Sequence, residues 1–280
     1  MGYVQMAFAG SQILGIPIGL LLANNFGWHS TFWMVVALAS LIAIATVIKL
    51  KPLKEHLKLQ QDKHPILHLW HTIRKKDYRV GFLATAVLSM GGFMIMPFSS
   101  AFLVNNVAIS QNDLPVIFLF TGIASMIIMP LIGKISDRID KFKIFTAGTM
   151  IAIVMILIYS NLTPVHIAIV ILVNVFLFMG IMSRMVPATA LNSAVPEHYD
   201  RGAYMSINSS LQQTAGGFAA MFAGFVVVQK TETSPLENFN LLGYIMVGLM
   251  LWCLYLVWKV KVIVIKKQDR HMTDDTSGRI

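Results

Sequence analysis

The sequence predicts an all-α membrane protein with several transmembrane helices. Only 12% of the 280 residues are charged and 56% are apolar, whereas an ordinary soluble domain has about 25% charged residues. Each charge-free run has the ~20 residues that a helix needs to cross a ~30 Å hydrocarbon core, and two are long enough to cross twice. The runs hold 190 residues, at 1–48, 80–112, 114–133, 144–183, 202–229 and 238–258.

Turn-forming residues divide the two longest runs. Asn24 to Gly27 interrupts the first run and Asn161 to Pro164 interrupts the fourth, and such Asn, Gly and Pro clusters between apolar segments are typical of turns. The sequence therefore predicts eight transmembrane helices, near 3–23, 28–48, 80–104, 114–133, 143–160, 164–184, 203–228 and 240–258.

The basic residues lie almost entirely in alternate connections between these helices. Of the 22, 21 fall on one side of the predicted membrane and only Lys230 falls on the other. By the positive-inside rule the basic side is the cytoplasm. We therefore expect a multi-pass protein of the cell inner membrane with both termini in the cytoplasm.

Charge and cysteine content exclude other classes. A net charge of +9 could suit nucleic-acid binding, but the basic residues are confined to short connections and form no folded basic face. The single cysteine, Cys253, excludes a disulfide framework or a CxxC site. The expected partners are the lipid bilayer and a small-molecule substrate, with no nucleic acid and no cofactor.

The long connection 50–79 contains a predicted amphipathic helix that starts at Pro65, with Leu67, Trp70 and Ile73 toward the membrane surface. Its three histidines share one helical face, a spacing that a metal site can use. No carboxylate or thiolate completes the set, and interfacial histidines are the simpler interpretation, so no metal is predicted. The histidines are His64, His68 and His71.

The first predicted helix has a face without side-chain bulk. Ser11, Gly15 and Gly19 repeat at four-residue spacing, and Pro17 lies beside them. Such a face lets a neighbouring helix approach closely, and a proline kink there suits a helix that must rock. Tight packing without motion explains the pattern equally well.

The connection between the fourth and fifth predicted helices is densely charged. Gly133 allows close packing, Asp137 is placed to accept from helix N-terminal amides, and Arg138 and Lys141 can cap exposed carbonyls. These contacts could form a cytoplasmic gate that latches one conformation. A solvated turn that helps set the topology is the alternative.

The region after the sixth predicted helix adds further candidates. Arg184 and Arg201 flank the loop there and are predicted to lie at the inner mouth of the pathway. Arg184 is expected to reach the cytoplasmic edge, because an arginine at the bilayer centre costs ~2.5–3.5 kcal/mol. Asn208, Gln212 and Gly216 share a face of the seventh helix, which could line a wet cavity or form interhelical hydrogen bonds. Gln12, Gly15 and Gly19 repeat the spacing of Gln213, Gly216 and Ala220, a weak internal repeat that makes Gln12 a cavity candidate as well.

Together these motifs resemble the major facilitator superfamily, within it the drug/proton antiporter-like and sugar-efflux-like permeases. The motifs are Gly15-x-Pro17-x-Gly19 before Phe26-Gly27-Trp28, Gly133-x-x-x-Asp137-Arg138, and Arg184-Met185-Val186-Pro187-Ala188 before Pro196 and Arg201-Gly202. The sequence departs from the family pattern where Ile16 separates Gly15 from Pro17 and where Asp140 replaces the usual glycine.

The resemblance implies that the eight helices correspond to helices 5–12 of a twelve-helix fold, so the chain looks like a permease that lacks its first four helices. Those helices, or a partner that supplies them, would complete it. The implied organisation is 1–49 as the last two helices of the N-terminal half, 50–79 as the cytoplasmic inter-half loop, 80–265 as the six-helix C-terminal half, and 266–280 as a cytoplasmic tail.

The predicted function is secondary active efflux or exchange of a small organic solute by alternating access, inactive in this chain alone. All 13 carboxylates fall at helix ends or in loops, so no ion-coupling carboxylate is visible within a span. A non-transporting receptor or scaffold is the alternative. An integral-membrane enzyme is disfavoured because the chain has neither an HExxH nor a GxxxxGK[ST] motif.

Overall fold

The computed structural model describes residues 25–49, 65–197, 199–231 and 233–277, with positions 15, 18, 19, 22 and 23 before them. Over this part of the chain the protein is all-α, and its β pairing amounts to one isolated antiparallel bridge between Val228 and Glu237. The α-helices of the described residues are α1 (Trp28–Lys49), α2 (Pro65–Arg74), α3 (Lys76–Phe93), α4 (Ser99–Asn105), α5 (Leu114–Arg138), α6 (Lys141–Ser160), α7 (Ile167–Asn192), α8 (Arg201–Val226) and α9 (Phe239–Ser277).

Within the described residues, six segments are long and apolar enough to cross a membrane. This finding confirms a multi-pass all-α protein. α8 has 26 residues, enough to cross, but its Ser, Asn and Gln residues make it less apolar. The first predicted helix, 3–23, lies largely outside the described residues. The six segments are Trp28–Lys49, Lys76–Asn105, Gln111–Ser136, Lys141–Ser160, Ile167–Asn192 and Phe239–Asp269.

Helices α3 and α5 to α9 pack into a bundle. α7 lies against both α6 and α5, α9 contacts α3 and α6, and α8 lies against α3. Glycines set the contact between α6 and α7: a Cβ atom at Gly180 would lie 2.7 Å from the backbone N of Ala152, and one at Gly148 would lie 2.7 Å from the Cβ of Ser183. Since lipid is as apolar as the helices, such close approach is what holds membrane helices together.

Aromatic packing closes the bundle at the end where α4 lies. The Phe102 ring stacks on the Phe239 ring with 3.9 Å between centroids. The buried Tyr159 hydroxyl shares a 2.6 Å hydrogen bond with the Ser99 hydroxyl. The buried Tyr159 hydroxyl therefore has the hydrogen-bond partner that a buried polar group needs.

Two helices continue beyond their predicted ends. α5 ends at Arg138 and not at 133, so Gly133 to Arg138 form its last turns. α7 ends at Asn192 and not at 184, with Pro187 inside it. Membrane helices tolerate internal prolines, and Pro187 lies within α7 without ending it.

The predicted helix 80–104 is broken and the predicted helix 240–258 is extended. α3 ends at Phe93, and a turn with a short 3-10 helix at Met96–Phe98 leads into α4. Pro97 explains the break, because its ring clashes with the carbonyl of the residue four positions earlier and it has no N–H to donate. α9 runs to Ser277, since the charges from Lys259 onward end the apolar span but Lys, Gln and Arg are good helix formers.

Candidate functional site

One side of α8 is polar although the helix belongs to a membrane bundle. The chain has no charged residue from Gly202 to Gln229, so this side is neutral. Polar side chains are costly against hydrocarbon and normally face a bundle interior or a water-filled cavity. We name these exposed residues the polar face of α8: Ser206, Ser209, Ser210, Gln213 and Thr214.

The predicted cavity candidates on α8 lie beside the polar face. Asn208 and Gln212 are both half-buried. The amide Nδ2 of Asn192 in α7 donates to Oδ1 of Asn208 at 3.0 Å. Asn208 therefore takes part in an interhelical hydrogen bond, the alternative to cavity lining, while a cavity role for Gln212 stays a prediction.

Asn192 is the centre of a network that joins α3, α7 and α8. Its Nδ2 also donates to the Thr85 hydroxyl at 2.6 Å and to the Gly81 carbonyl at 3.3 Å. Its Oδ1 accepts from the Tyr204 hydroxyl at 2.5 Å. A Cβ atom at Gly81 would collide with that hydroxyl, so glycine is required there. Sequence reasoning missed Asn192, whose one signal is an amide in an otherwise apolar run.

Gly216 is buried and packs against α3. A Cβ atom there would lie 2.8 Å from Cδ2 of the Phe93 ring. The structure thus places Gly216 in a helix contact and not on the polar face, because only a glycine lets the ring approach this closely. It is a packing position of the same kind as Gly148 and Gly180.

The predicted hinge lies only partly within the described residues. Ser11, Pro17 and the cavity candidate Gln12 are outside them. Gly19 packs against α1, because its Cβ would lie 3.3 Å from Cγ2 of Thr31 and its carbonyl accepts from the Thr31 hydroxyl at 3.0 Å. A Cβ atom added at Gly15 would have no neighbouring atom within 4 Å. The hinge role itself stays a prediction.

The predicted gate residues lie mostly in helix and not in a turn. Gly133, Asp137 and Arg138 belong to the last turns of α5, and Lys141 begins α6. Asp140 caps α6, because its Oδ1 accepts from the backbone N of Phe142 at 2.8 Å. The side chain of Asp137 lies outside the described part of the structure.

Asp140 also ties α9 to this turn. Its Oδ2 forms an ion pair with Lys261, which holds the pKa of the Asp140 carboxyl below its ordinary value. The residue that departs from the family pattern therefore has two defined contacts. A glycine at this position would supply neither of them.

The predicted inner-mouth arginines have different environments. Arg184 is only 3% exposed, so the expected snorkelling to the edge is wrong: α7 extends past it, and its guanidinium lies over the Phe145 ring at 5.5 Å. Its Nε has no hydrogen-bond partner among the described residues. Arg201 is exposed at the start of α8 and lines a cavity of about 420 Å³ with Glu197 and Lys267.

A cluster of polar contacts around Asp200 joins α2 to the bundle. Oδ2 of Asp200 accepts from Lys75 Nζ at 2.5 Å and from the Tyr78 hydroxyl at 2.9 Å, and Oδ1 lies 3.5 Å from Nε2 of His68. The Tyr78 hydroxyl also accepts from the backbone N of Glu197 at 3.0 Å. We name these five residues the Asp200 cluster.

In the Asp200 cluster, Asp200 and Lys75 stabilise each other's charged form. Burial raises the pKa of Asp200, but hydrogen bonds from Lys75 and Tyr78 outweigh burial and hold the pKa below its ordinary value. The same contact with Asp200 raises the pKa of Lys75. Both groups are therefore charged at neutral pH. The sequence does not single out Asp200, because its partners Lys75, Tyr78 and His68 lie more than 100 positions away.

The histidines of the amphipathic helix do not come together as a metal site in the described structure. His64 lies outside the described residues, and His68 faces Asp200. Over the described ranges, no three His, Cys, Asp or Glu side chains are grouped to hold a metal.

The bundle defines an integral membrane protein, and one of its helices, α8, has a neutral polar side. Residues 1–221 match the Major Facilitator Superfamily, and the chain belongs to this family. The family is one of transporters and not of enzymes, in agreement with the sequence prediction.

Two curated relatives of Bacillus subtilis (strain 168) agree with this assignment. The chain is 26% identical over 241 residues to a protein described as the uncharacterized MFS-type transporter YbcL, an alignment that covers 86% of this chain and 60% of the relative. It is 26% identical over 154 residues to the uncharacterized MFS-type transporter YceJ, covering 54% of this chain and 38% of the relative. The chain thus spans less than two thirds of the relatives it matches.

Proposed function

We propose that the chain forms part of a secondary transporter that exports or exchanges a small organic solute by alternating access. The observation that carries the proposal is the polar face of α8. Family membership supports transport in general, and this face supplies a surface that a solute with hydrogen-bonding groups can contact inside the membrane.

The polar face suits a solute pathway more than a lipid contact. Its hydroxyl and amide groups can both donate and accept hydrogen bonds, and without water or a partner each would lose hydrogen bonds in hydrocarbon. The half-buried Gln212 extends the same polar zone toward Asn208. By contrast, a cleft of about 350 Å³ between α5, α6 and α7 is lined almost entirely by apolar residues such as Ile132 and Ile151, which suits lipid.

The polar face of α8 forms only one side of the proposed pathway. Since the chain covers 60% of the length of one relative, we propose that further helices, or a partner that supplies them, face this surface in the working transporter. On this proposal the 280-residue chain does not transport by itself. The end that carries Lys75, Arg138 and Lys261 faces the cytoplasm of a cell inner membrane, as the positive-inside rule implies.

Within this pathway the sequence candidates keep their proposed roles. Gly15, Pro17 and Gly19 allow the first helix to rock, and the α5–α6 junction from Gly133 to Lys141 acts as the cytoplasmic gate. Asp140 joins that junction as the residue that fixes it to α9, through its contact with Lys261.

Thiol labelling tests whether the polar face is wet. In a Cys253→Ser background, Ser210→Cys and Gln213→Cys are expected to react with a membrane-impermeant maleimide in membranes that contain the 280-residue chain, because maleimides react with the hydrated thiolate. The matched control is Leu172→Cys on α7, which is 55% exposed but apolar in its surroundings and should stay unlabelled. Labelling of Leu172→Cys but not of Gln213→Cys would overturn the proposed pathway.

Transport itself is tested in proteoliposomes with a panel of organic dyes and sugars. Saturable uptake by the 280-residue chain alone would contradict the need for further helices and leave the transporter in place. The alternative of a receptor or scaffold would be favoured if Asn208→Ala and Gln212→Ala leave a transporting assembly unaffected while a soluble protein co-purifies.

A further inference from the structure

The α2 helix exposes an apolar face at the basic end of the bundle. Leu67, Trp70 and Ile73 are 53%, 52% and 39% exposed. In the helix these three positions lie on one side, and the opposite side carries His68 and the buried Thr72. A Trp with two aliphatic neighbours on a short helix is the composition of segments that lie in the membrane interface.

The Asp200 cluster fixes which side of α2 is outward. His68 faces Asp200 at 3.5 Å, and Lys75, directly after the helix, donates to the same carboxylate at 2.5 Å. His68 also packs edge-on against the Tyr199 ring with 5.1 Å between centroids. Because His68 and Lys75 both contact Asp200, the opposite, apolar side of α2 faces away from the bundle.

Three exposed cations lie at the C-terminal end of this apolar face and directly after it in the chain. Arg74, Lys76 and Arg79 are all exposed, and the Arg74 guanidinium lies 4.9 Å from the Trp70 ring centroid. Nε of Arg79 donates to the Ile73 carbonyl at 3.2 Å, which holds the charge close to the apolar residues. Asp77 is the one carboxylate in this stretch, so the surface keeps an excess of positive charge.

We propose that the exposed face of α2, with Arg74, Lys76 and Arg79, is a docking surface for anionic phospholipids of the bilayer. The apolar side chains enter the boundary between headgroups and acyl chains, and the three cations pair with lipid phosphates. Charge complementarity selects this occupant: a neutral protein partner would leave the three cations without counter-charges. The inference depends on membrane insertion alone and is independent of the proposed transport activity.

Selective lipid quenching tests the proposal in the full chain. Leu67→Cys in a Cys253→Ser background is labelled with bimane and reconstituted in vesicles of phosphatidylglycerol and phosphatidylcholine, with bromine on the acyl chains of one lipid at a time. Brominated phosphatidylglycerol should quench more strongly than brominated phosphatidylcholine, by about threefold or more, because each basic residue near the surface favours anionic lipid about fivefold. The preference should fall in 1 M salt.

Charge variants make the test specific. Arg74→Gln, Lys76→Gln and Arg79→Gln together should remove the preference for phosphatidylglycerol. The matched control removes three exposed basic residues elsewhere, as Lys134→Gln, Lys143→Gln and Lys259→Gln, and should leave the preference intact. Equal quenching by both lipids overturns the anionic selectivity, and no quenching by either shows that protein covers the face and overturns the proposal.

Discussion

Lys75 and Asp200 are 125 positions apart in the chain, and a 2.5 Å hydrogen bond joins Nζ of the lysine to Oδ2 of the aspartate. Asp200 ends the connection between α7 and α8, whereas Lys75 separates α2 from α3. This contact attaches the segment before the bundle to the segment between two of its helices. The packing of the bundle therefore fixes the position of α2.

Asp200→Asn is expected to destabilise this attachment. The change removes the charge from a carboxylate whose side chain is 5% exposed and weakens its hydrogen bonds with Lys75 and Tyr78, at a cost of about 1–2 kcal/mol. Thermal unfolding and the rate of proteolysis at Arg74 measure the effect. The control is Glu197→Gln, because the Glu197 side chain is 66% exposed and 3.8 Å from Lys75, so its loss should be near zero.

The pH dependence of the same attachment follows from Asp200. Since the folded state holds the pKa of Asp200 below the ordinary 3.8, its contribution is fully present above about pH 4 and is lost as the pH falls through the folded pKa. The stability difference between the parent and Asp200→Asn should therefore be constant from about pH 5 to pH 8 and shrink below about pH 4.

Three other groups of the cluster face Asp200 or its partners, namely His68, Lys75 and Tyr78, with Glu197 nearby. The stability difference between the parent and Asp200→Asn is therefore measured again in a His68→Gln background, by thermal unfolding at each pH. The same pH dependence without His68 assigns it to the Asp200 carboxylate. A difference that already disappears between pH 5 and 7 in that background would contradict the assignment.

Gly180→Ala is expected to loosen the contact between α6 and α7. The added methyl group would lie 2.7 Å from the backbone N of Ala152, and backbone cannot move aside as a flexible side chain can, so the cost is about 1–3 kcal/mol. Gly248→Ala in α9 is the matched control, because nothing lies within 4 Å of its added Cβ and the change raises helix propensity. Unfolding temperatures in detergent should fall for the first variant and hold or rise for the second.

Asp140 variants separate helix capping from ion pairing. Asp140→Asn can still accept from the Phe142 amide but loses the charge that pairs with Lys261, so its effect should match that of Lys261→Gln. Asp140→Ala also removes the cap and should cost about 1 kcal/mol more. Chemical or thermal unfolding of the three variants provides the comparison; equal losses for Asn and Ala would show that the cap contributes nothing.

The sequence was sufficient to predict the membrane class because burial in lipid requires long charge-free helices. The ends of the helices were harder to predict than the membrane class, above all near prolines and charged residues. Pro187 stays inside α7 and the charges after Lys259 stay inside α9, since charge marks the end of an apolar span and proline only weakens a helix. Pro97 does break its helix, so proline alone does not tell where a membrane helix ends.

The polar contacts were the least predictable part. Asn208 was expected from its helical spacing, but its partner Asn192 lies in another helix, and only packing brings the two amides to 3.0 Å. The cap of α6 comes from Asp140, which the sequence marked only as a departure from the family pattern. The Asp200 cluster has no periodicity at all, because its members come from α2, α3 and the α7–α8 connection.

Lys267 gives the far end of α9 a structural role. Its Nζ donates to the carbonyls of Val195 and Pro196 at 3.3 and 2.7 Å, so residues predicted as a cytoplasmic tail help to shape the connection that leads into Asp200. Shortening the protein at residue 265, or fusing a bulky domain directly after it, would release those carbonyls and disturb a loop some 70 positions upstream. Affinity tags for purification therefore belong beyond Ser277.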